Sequence, residues 1–193
     1  MTNLAVLVSG NGTNLEALIQ KSGHPDYPFR VRYVVSDNPN AYALVRAQQH
    51  QIESEYINPR VFPSRSEYER KLIEQLEERA IAFIVLAGFM RILGSTFVSH
   101  YPSRVLNIHP SLLPAFPGLN APKQALDYGV KITGVTVHYV DEGMDTGPII
   151  SQQAVPIESE DTLESLTEKL HHVEHQLYPR TLAQVIKQHR APK

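Results

Sequence analysis

Leu4-Ala5-Val6-Leu7-Val8-Ser9-Gly10-Asn11-Gly12-Thr13-Asn14-Leu15-Glu16 runs from an apolar stretch through a glycine turn into a helix start. An unbroken apolar run ended by glycine reads as a strand buried on both faces. Thr13 followed three residues later by Glu16 is the pattern of a capping box. Leu15, Leu18 and Ile19 then lay an apolar stripe at helical spacing. Strand, tight turn and helix with no gap between them form the first unit of an α/β fold.

Outward from that unit the alternation continues. Further strands are predicted over 29–35, 53–57, 81–87, 104–108, 133–140 and 148–155. Helices are predicted over 42–50, 64–79, 95–100, 122–128 and from 162 to the end. Asp161 with Glu164 should open the last helix, and Pro179 should bend it. The pattern calls for a mostly parallel twisted sheet of about seven strands with helices on both faces. Ligands in such sheets bind beyond the carboxyl ends of strands. The connections after the first, fourth, fifth and sixth strands are therefore expected to share one edge and face one cleft.

The chain has 193 residues, which suits one domain spanning 1–193 and a core that needs no staples. There is no cysteine, so thiol nucleophiles, disulfides and Cys-based zinc sites are excluded. A formal net charge of −2 offers no general attraction to nucleic acid. No apolar run approaches spanning length, and the first is too short for a signal-peptide core. A cytoplasmic protein without membrane attachment is expected, with small molecules as partners, as a monomer or homodimer.

Several segments carry chemistry. Asn107 and His109, two apart on extended chain, point to one side. An amide can donate to a developing oxyanion, and an imidazole can give or relay a proton. Pro110, Pro114 and Pro117 stiffen the segment after His109. Asp145 lies between Gly143 and Gly147 and reads alone as a turn residue. Beside His109 it would orient the ring and favour its charged form, which requires the fifth and sixth strands to lie close together. The Gly10 to Asn14 turn can cradle phosphate with main-chain N–H groups. It lacks the Gly-Lys-Ser/Thr of a Walker loop, and Leu15 stands where a dinucleotide fingerprint needs its third glycine. Asp37 could still serve as the ribose-binding acid of such a site. His171-His172-Val173-Glu174-His175 matches a zinc motif in letters but has no third ligand in the tail after it. Glu174 reaching a substrate and a solvated helix face are the competing readings there. His138 reads as a strand residue facing a neighbour.

Taken together, four segments resemble the folate-dependent formyltransferases. They are the Val8 to Leu15 opening, Gly88-Phe89-Met90-Arg91-Ile92-Leu93, Asn107-Ile108-His109-Pro110-Ser111-Leu112-Leu113-Pro114, and Asp141-Glu142 through Asp145 to Gly147-Pro148. The resemblance covers nearly the whole chain, and the opening loop picks the branch that acts on glycinamide ribonucleotide. It implies formyl transfer from 10-formyltetrahydrofolate to the ribonucleotide amine in de novo purine biosynthesis, without metal. It implies a Rossmann-like N-terminal half (1–100) that grips phosphate and a catalytic, folate-binding half (101–193). Asn107, His109 and Asp145 would form the catalytic trio. Gly12, Thr13, Asn14 and Glu174 would hold the ribonucleotide. Met90, Arg91, Ile92 and Leu93 would line the folate pocket with Asn107, Asp141, Glu142, Gly143, Met144 and Asp145, while Arg65 and Arg91 meet the folate glutamate tail. Leu113-Pro114 would be a cis peptide. The rivals are a formyltetrahydrofolate hydrolase using the same trio, a nicotinamide-dependent dehydrogenase using the glycine turn with Asp37, and a silent binding module.

Overall fold

The computed structural model describes residues 1–190. Its strands are β1 (Thr2–Val8), β2 (Phe29–Ser36), β3 (Glu53–Tyr56), β4 (Phe83–Leu86), β5 (Val105–His109), β6 (Ile132–Tyr139) and β7 (Ile149–Pro156). Its helices are α1 (Thr13–Lys21), α2 (Tyr42–Gln49), α3 (Arg65–Glu78), α4 (Ser95–His100), α5 (Ala121–Tyr128) and α6 (Leu163–Arg190). The seven strands form one sheet in the order β3-β2-β1-β4-β5-β6-β7. The first five run parallel; β6 and β7 pair antiparallel to their neighbours. The expected sheet is thus found, and the part of the last helix expected over 191–193 lies outside the described residues.

Strand alternation builds the two halves of the core. Leu4, Val6 and Val8 of β1 face a layer that includes Leu15 and Leu18 of α1, Ala43 and Ala47 of α2, and Leu170, Leu177 and Tyr178 of α6. Ala5 and Leu7 face the other way, onto Tyr68, Leu72 and Leu76 of α3 and Phe97 of α4. From Leu4 to Val8, β1 is therefore apolar at every position because both its faces are covered. The layer of α3 and α4 ends over Val105 of β5. Beyond it, the same face of β5 and β6 presents Asn107, His109, Thr136 and His138, and a cavity opens there.

Three local expectations are corrected. Thr13 and Glu16 form no capping box: Gly12 is the N-cap, in the left-handed region at φ 80°, with no side-chain cap. Thr13 is already helical, so its side chain points away from the donors it was expected to cap. The Glu16 carboxylate turns instead to Arg46 (3.3 Å) and His50 (3.0 Å). At α6 the cap is Thr162, not Asp161. The Ser165 amide donates to Thr162 Oγ1 (3.2 Å) and the Thr162 amide donates to Ser165 Oγ (3.0 Å). Asp161 accepts from the Ser165 hydroxyl (2.8 Å) and from Lys169 (2.7 Å). The helix continues through Pro179, which is buried with Leu177 and Tyr178.

The connection after β6 is the third. Because β6 is antiparallel, this connection leaves from the Val105 end of β5, where the Val140 amide donates to the Val105 carbonyl (2.9 Å). It does not start on the edge shared by the other three. It reaches the site by folding back over the sheet face, closed on itself by Asp141 Oδ1, which accepts from Thr146 Oγ1 (2.7 Å) and the Gly143 amide (3.1 Å). Gly147 is required at its exit, since a Cβ there would fall on the Tyr139 carbonyl oxygen.

Candidate active site

Adjacent antiparallel strands bring the trio together. Asn107 lies opposite His138 and His109 opposite Thr136. Asp145, at φ 56°, turns its carboxylate between them. Its Oδ2 lies 3.3 Å from His109 Nδ1 and accepts from the Gly118 amide (2.8 Å). Its Oδ1 accepts from the Asn107 amide NH2 (3.2 Å) and lies 3.6 Å from His138 Nε2. Burial works to raise the Asp145 carboxyl. The His138 contact, the Gly118 amide and the positive charge available at His109 and His138 outweigh it and hold the group below its usual range.

Both nitrogens of His109 face acceptors, Nδ1 the carboxylate and Nε2 the Phe116 carbonyl (2.8 Å). That arrangement suits a ring with two N–H groups. Phe116 and Gly118 belong to the segment after β5, which is anchored underneath by Thr136. Its Oγ1 donates to the Ser111 carbonyl (2.7 Å) and accepts from the Leu113 amide (3.1 Å) and from Gln152 (2.9 Å). Leu113–Pro114 is cis.

Asn107 departs from expectation in one respect. Its NH2 does not stand free for an oxyanion: it faces Asp145 Oδ1 and His138 Nε2, each at 3.2 Å. The opposite amide orientation would set two oxygens against each other, so this one is right on electrostatic grounds. With a single proton on Nδ1, donated to the Tyr139 carbonyl (2.8 Å), His138 accepts from Asn107; a second proton would turn Nε2 toward Asp145.

The cavity measures about 650 Å3, within the range of small-molecule sites. At one end stand Gly10 to Asn14 with Glu174 and His171; at the other, Met90, Arg91, Ile92, Leu93, Asp141, Gly143 and Met144, with Asn107, His109 and Asp145 also in the wall. Arg65 and Glu142 are not in the wall. Arg65 is largely exposed, 3.6 Å from Glu69, and lies against Gly94. Arg91 is in the wall, 3.9 Å from Asp37 with its guanidinium near the Tyr68 ring.

At the glycine turn, the uncapped start of α1 leaves main-chain donors for an anion. Glu174 is buried, and its carboxylate accepts from the Asn14 amide NH2 (2.8 Å). Burial raises its pKa, opposed by Asn14 and by charge at His171. Asp37 accepts from the Ser9 hydroxyl (2.6 Å), which in turn accepts from the Met90 amide (2.9 Å). This binds the turn to the 90–93 segment and occupies the acid that a dinucleotide site would turn to a ribose. His171 and His175 stack nearly parallel, ring centres 6.1 Å apart. Among the described residues, no group of three or more His, Asp or Glu side chains could hold a metal ion.

Residues 2–182 match the family model described as Formyl transferase. The chain belongs to this family. It is 43% identical over 186 residues to a phosphoribosylglycinamide formyltransferase of Bacillus subtilis, covering 96% of this chain and 95% of that protein. The Escherichia coli phosphoribosylglycinamide formyltransferase is 42% identical over 181 residues, with coverage of 94% and 85%. A crystal structure of the Bacillus halodurans phosphoribosylglycinamide formyltransferase superposes with a TM-score of 0.94 at 50% identity, over 98% of this chain and 97% of that one.

In this formyl transferase the sequence reading missed His138, His171 and the Phe116 to Gly118 contacts. His138 was legible only through the antiparallel register that sets it opposite Asn107. His171 was visible as one letter of a discounted zinc motif. The Gly118 amide carries no sequence signal at all.

Proposed function

We infer that this chain transfers the formyl group of 10-formyltetrahydrofolate to the amine of glycinamide ribonucleotide, giving formylglycinamide ribonucleotide and tetrahydrofolate in de novo purine synthesis. One observation carries the reading. An amide and an imidazole from β5 and a carboxylate from the connection after β6 meet in one cavity wall whose far end is an uncapped glycine turn.

The amine attacks the formyl carbon. His109, its Nδ1 kept on Asp145, turns its Nε2–H from the Phe116 carbonyl to the tetrahedral oxygen, and Asn107 swings one N–H from Asp145 or His138 to the same oxygen. Asp145 holds the ring and balances its charge, and it accepts the proton that the attacking amine sheds, directly or through a water. When the oxyanion collapses to the new amide, the bond from the formyl carbon to N10 of the folate breaks and that proton passes to N10, releasing tetrahydrofolate. Holding both substrates in register supplies much of the acceleration. Gly12, Thr13, Asn14 and Glu174 bind the ribonucleotide, the first three through its phosphate. Met90, Ile92, Leu93, Asp141, Gly143 and Met144 enclose the pterin, and Arg91 meets the glutamate tail; Arg65 and Glu142 can contribute only from the rim. One domain does this work with its halves interleaved, because Glu174 comes from 101–193 and the 90–93 segment from 1–100. We assign the chain to the cytoplasm; among the described residues no helix is long and apolar enough to cross a membrane.

The test is folate deformylation followed by absorbance with and without glycinamide ribonucleotide. Turnover should require the ribonucleotide. An equal rate without it would make the chain a hydrolase.

A further inference from the structure

Ser9 follows the last residue of β1, between β2 and β4 in the sheet, and neither it nor Asp37 lines the cavity. The residue after it begins the glycine turn. Its main-chain amide donates to the Gly88 carbonyl (3.1 Å), and its main-chain carbonyl accepts from the Asn38 side chain (2.9 Å). An alanine would keep both of those bonds. The hydroxyl makes the two that need serine: it donates to Asp37 Oδ1 (2.6 Å) and accepts from the Met90 amide (2.9 Å). A carboxylate can only accept, so Asp37 fixes where the single hydroxyl proton goes and leaves a lone pair for Met90. A separation of 2.6 Å is that of a charge-assisted bond, which holds the hydroxyl firmly. The other oxygen of Asp37 faces Arg91 at 3.9 Å. Met90 is exposed, so the bond to Ser9 rather than packing sets its main chain. One hydroxyl thus stands between the turn at one end of the cavity and the 90–93 segment at the other.

We propose that Ser9 is a positioning residue that couples the two substrate sites, so that each substrate tightens the binding of the other. This rests on the formyl-transfer reading, in which the ribonucleotide seats on the turn and folate against 90–93. A phosphate held by Gly12, Thr13 and Asn14 immobilises the turn and, with it, Ser9 at its start. The hydroxyl passes that order to the Met90 amide directly and to Arg91 through Asp37. Folate then meets a segment that is already ordered and loses less conformational freedom on binding. Linkage requires folate to tighten the ribonucleotide by the same factor. Alanine at this position would leave the Met90 amide and Asp37 Oδ1 without the hydroxyl they share. The main-chain bonds to Gly88 and Asn38 would still hold the strand end in place. The link between the sites is therefore separable from the fold of the turn.

The experiment uses tetrahydrofolate, which has no formyl group to transfer and so forms an unreactive complex beside glycinamide ribonucleotide. Its Kd is measured by anaerobic calorimetry, with and without saturating ribonucleotide, in the wild type, Ser9→Ala and Ser9→Thr. In the wild type the ribonucleotide should lower Kd for tetrahydrofolate by about 10-fold, within the usual range of coupling between sites. Ser9→Ala should bring the two Kd values together, and Ser9→Thr, which keeps the hydroxyl, should hold them apart. A merely structural loss would weaken both values alike and leave their ratio unchanged. Amide hydrogen exchange supplies a reading that needs no variant: the ribonucleotide alone should slow exchange over 88–93 in the wild type. The proposal is overturned, with formyl transfer intact, by any of four results. These are equal Kd values in the wild type, the wild-type ratio kept in Ser9→Ala, the ratio lost equally in Ser9→Thr, or no slowing over 88–93. Absence of ribonucleotide-dependent turnover in the wild type would overturn both readings.

Discussion

Asn107 shows how much one side chain can hold in place. Its NH2 joins Asp145 to His138. Asn107→Ala should lower kcat on the order of 10²–10³, the usual cost of losing an oxyanion donor; near-normal turnover would remove Asn107 from the mechanism. Glu174 poses the opposite problem. Its carboxylate is buried, and burial, opposed by Asn14 and His171, leaves its pKa raised. Such a group binds a proton more readily folded than unfolded, so its cost to stability grows as pH rises through and above the ordinary glutamate range. Glu174→Gln keeps an acceptor for Asn14 and removes that cost. It should melt higher than the wild type at pH 8, with a smaller gain at pH 5. In the same variant KM for the ribonucleotide should rise by about 10-fold or more, since a charged contact to substrate is lost. A lower melting temperature at both pH values would refute the account.

At the scale of elements, the junction of β1 and α1 depends on glycine at one position. Gly12 is at φ 80°, and an added Cβ would stand 2.7 Å from the Ala43 Cβ on α2. Gly12→Ala should therefore destabilise the fold by about 1–3 kcal/mol through backbone strain and raise KM for the ribonucleotide by misaligning the donors of the turn. Denaturant unfolding and steady-state kinetics read the two effects separately. An unperturbed midpoint would mean that the turn relaxes freely. Gly10 has open space around it and carries no such expectation. The junction also explains where local pattern reading failed. Thr13 and Glu16 match a capping box in letters, but the left-handed Gly12 already sets Thr13 inside the helix. The match at Thr162 and Ser165 is hidden in the sequence because serine replaces the usual glutamate as the reciprocal partner.

Over the whole molecule, the site carries a pH signature. Burial pushes the Asp145 carboxyl up, but its partners win and depress it. A carboxylate depressed on folding adds stability that is fully present above the unfolded pKa of about 4 and is lost as pH falls through the lower folded value. Asp145→Asn should shift acid unfolding relative to the wild type, with the difference in stability largest at neutral pH and vanishing at the acid end, as urea titrations at several pH values would show. A constant difference across the range would mean that Asp145 acts by packing alone. The strand–turn–helix alternation, the apolar strand between two helical layers and the pairing of Asn107 with His109 were all legible in the chain, because periodicity and turn chemistry are local properties. The direction of β6 was not, since two apolar alternating strands read alike in either orientation. That direction decides that His138 faces Asn107, that Thr136 anchors the loop bearing Phe116 and Gly118, and that Asp145 must fold back over the sheet to reach His109. Residue identity settled which chemistry was available; pairing between segments far apart in the chain decided which groups meet, because hydrogen-bond register acts only between strands already side by side.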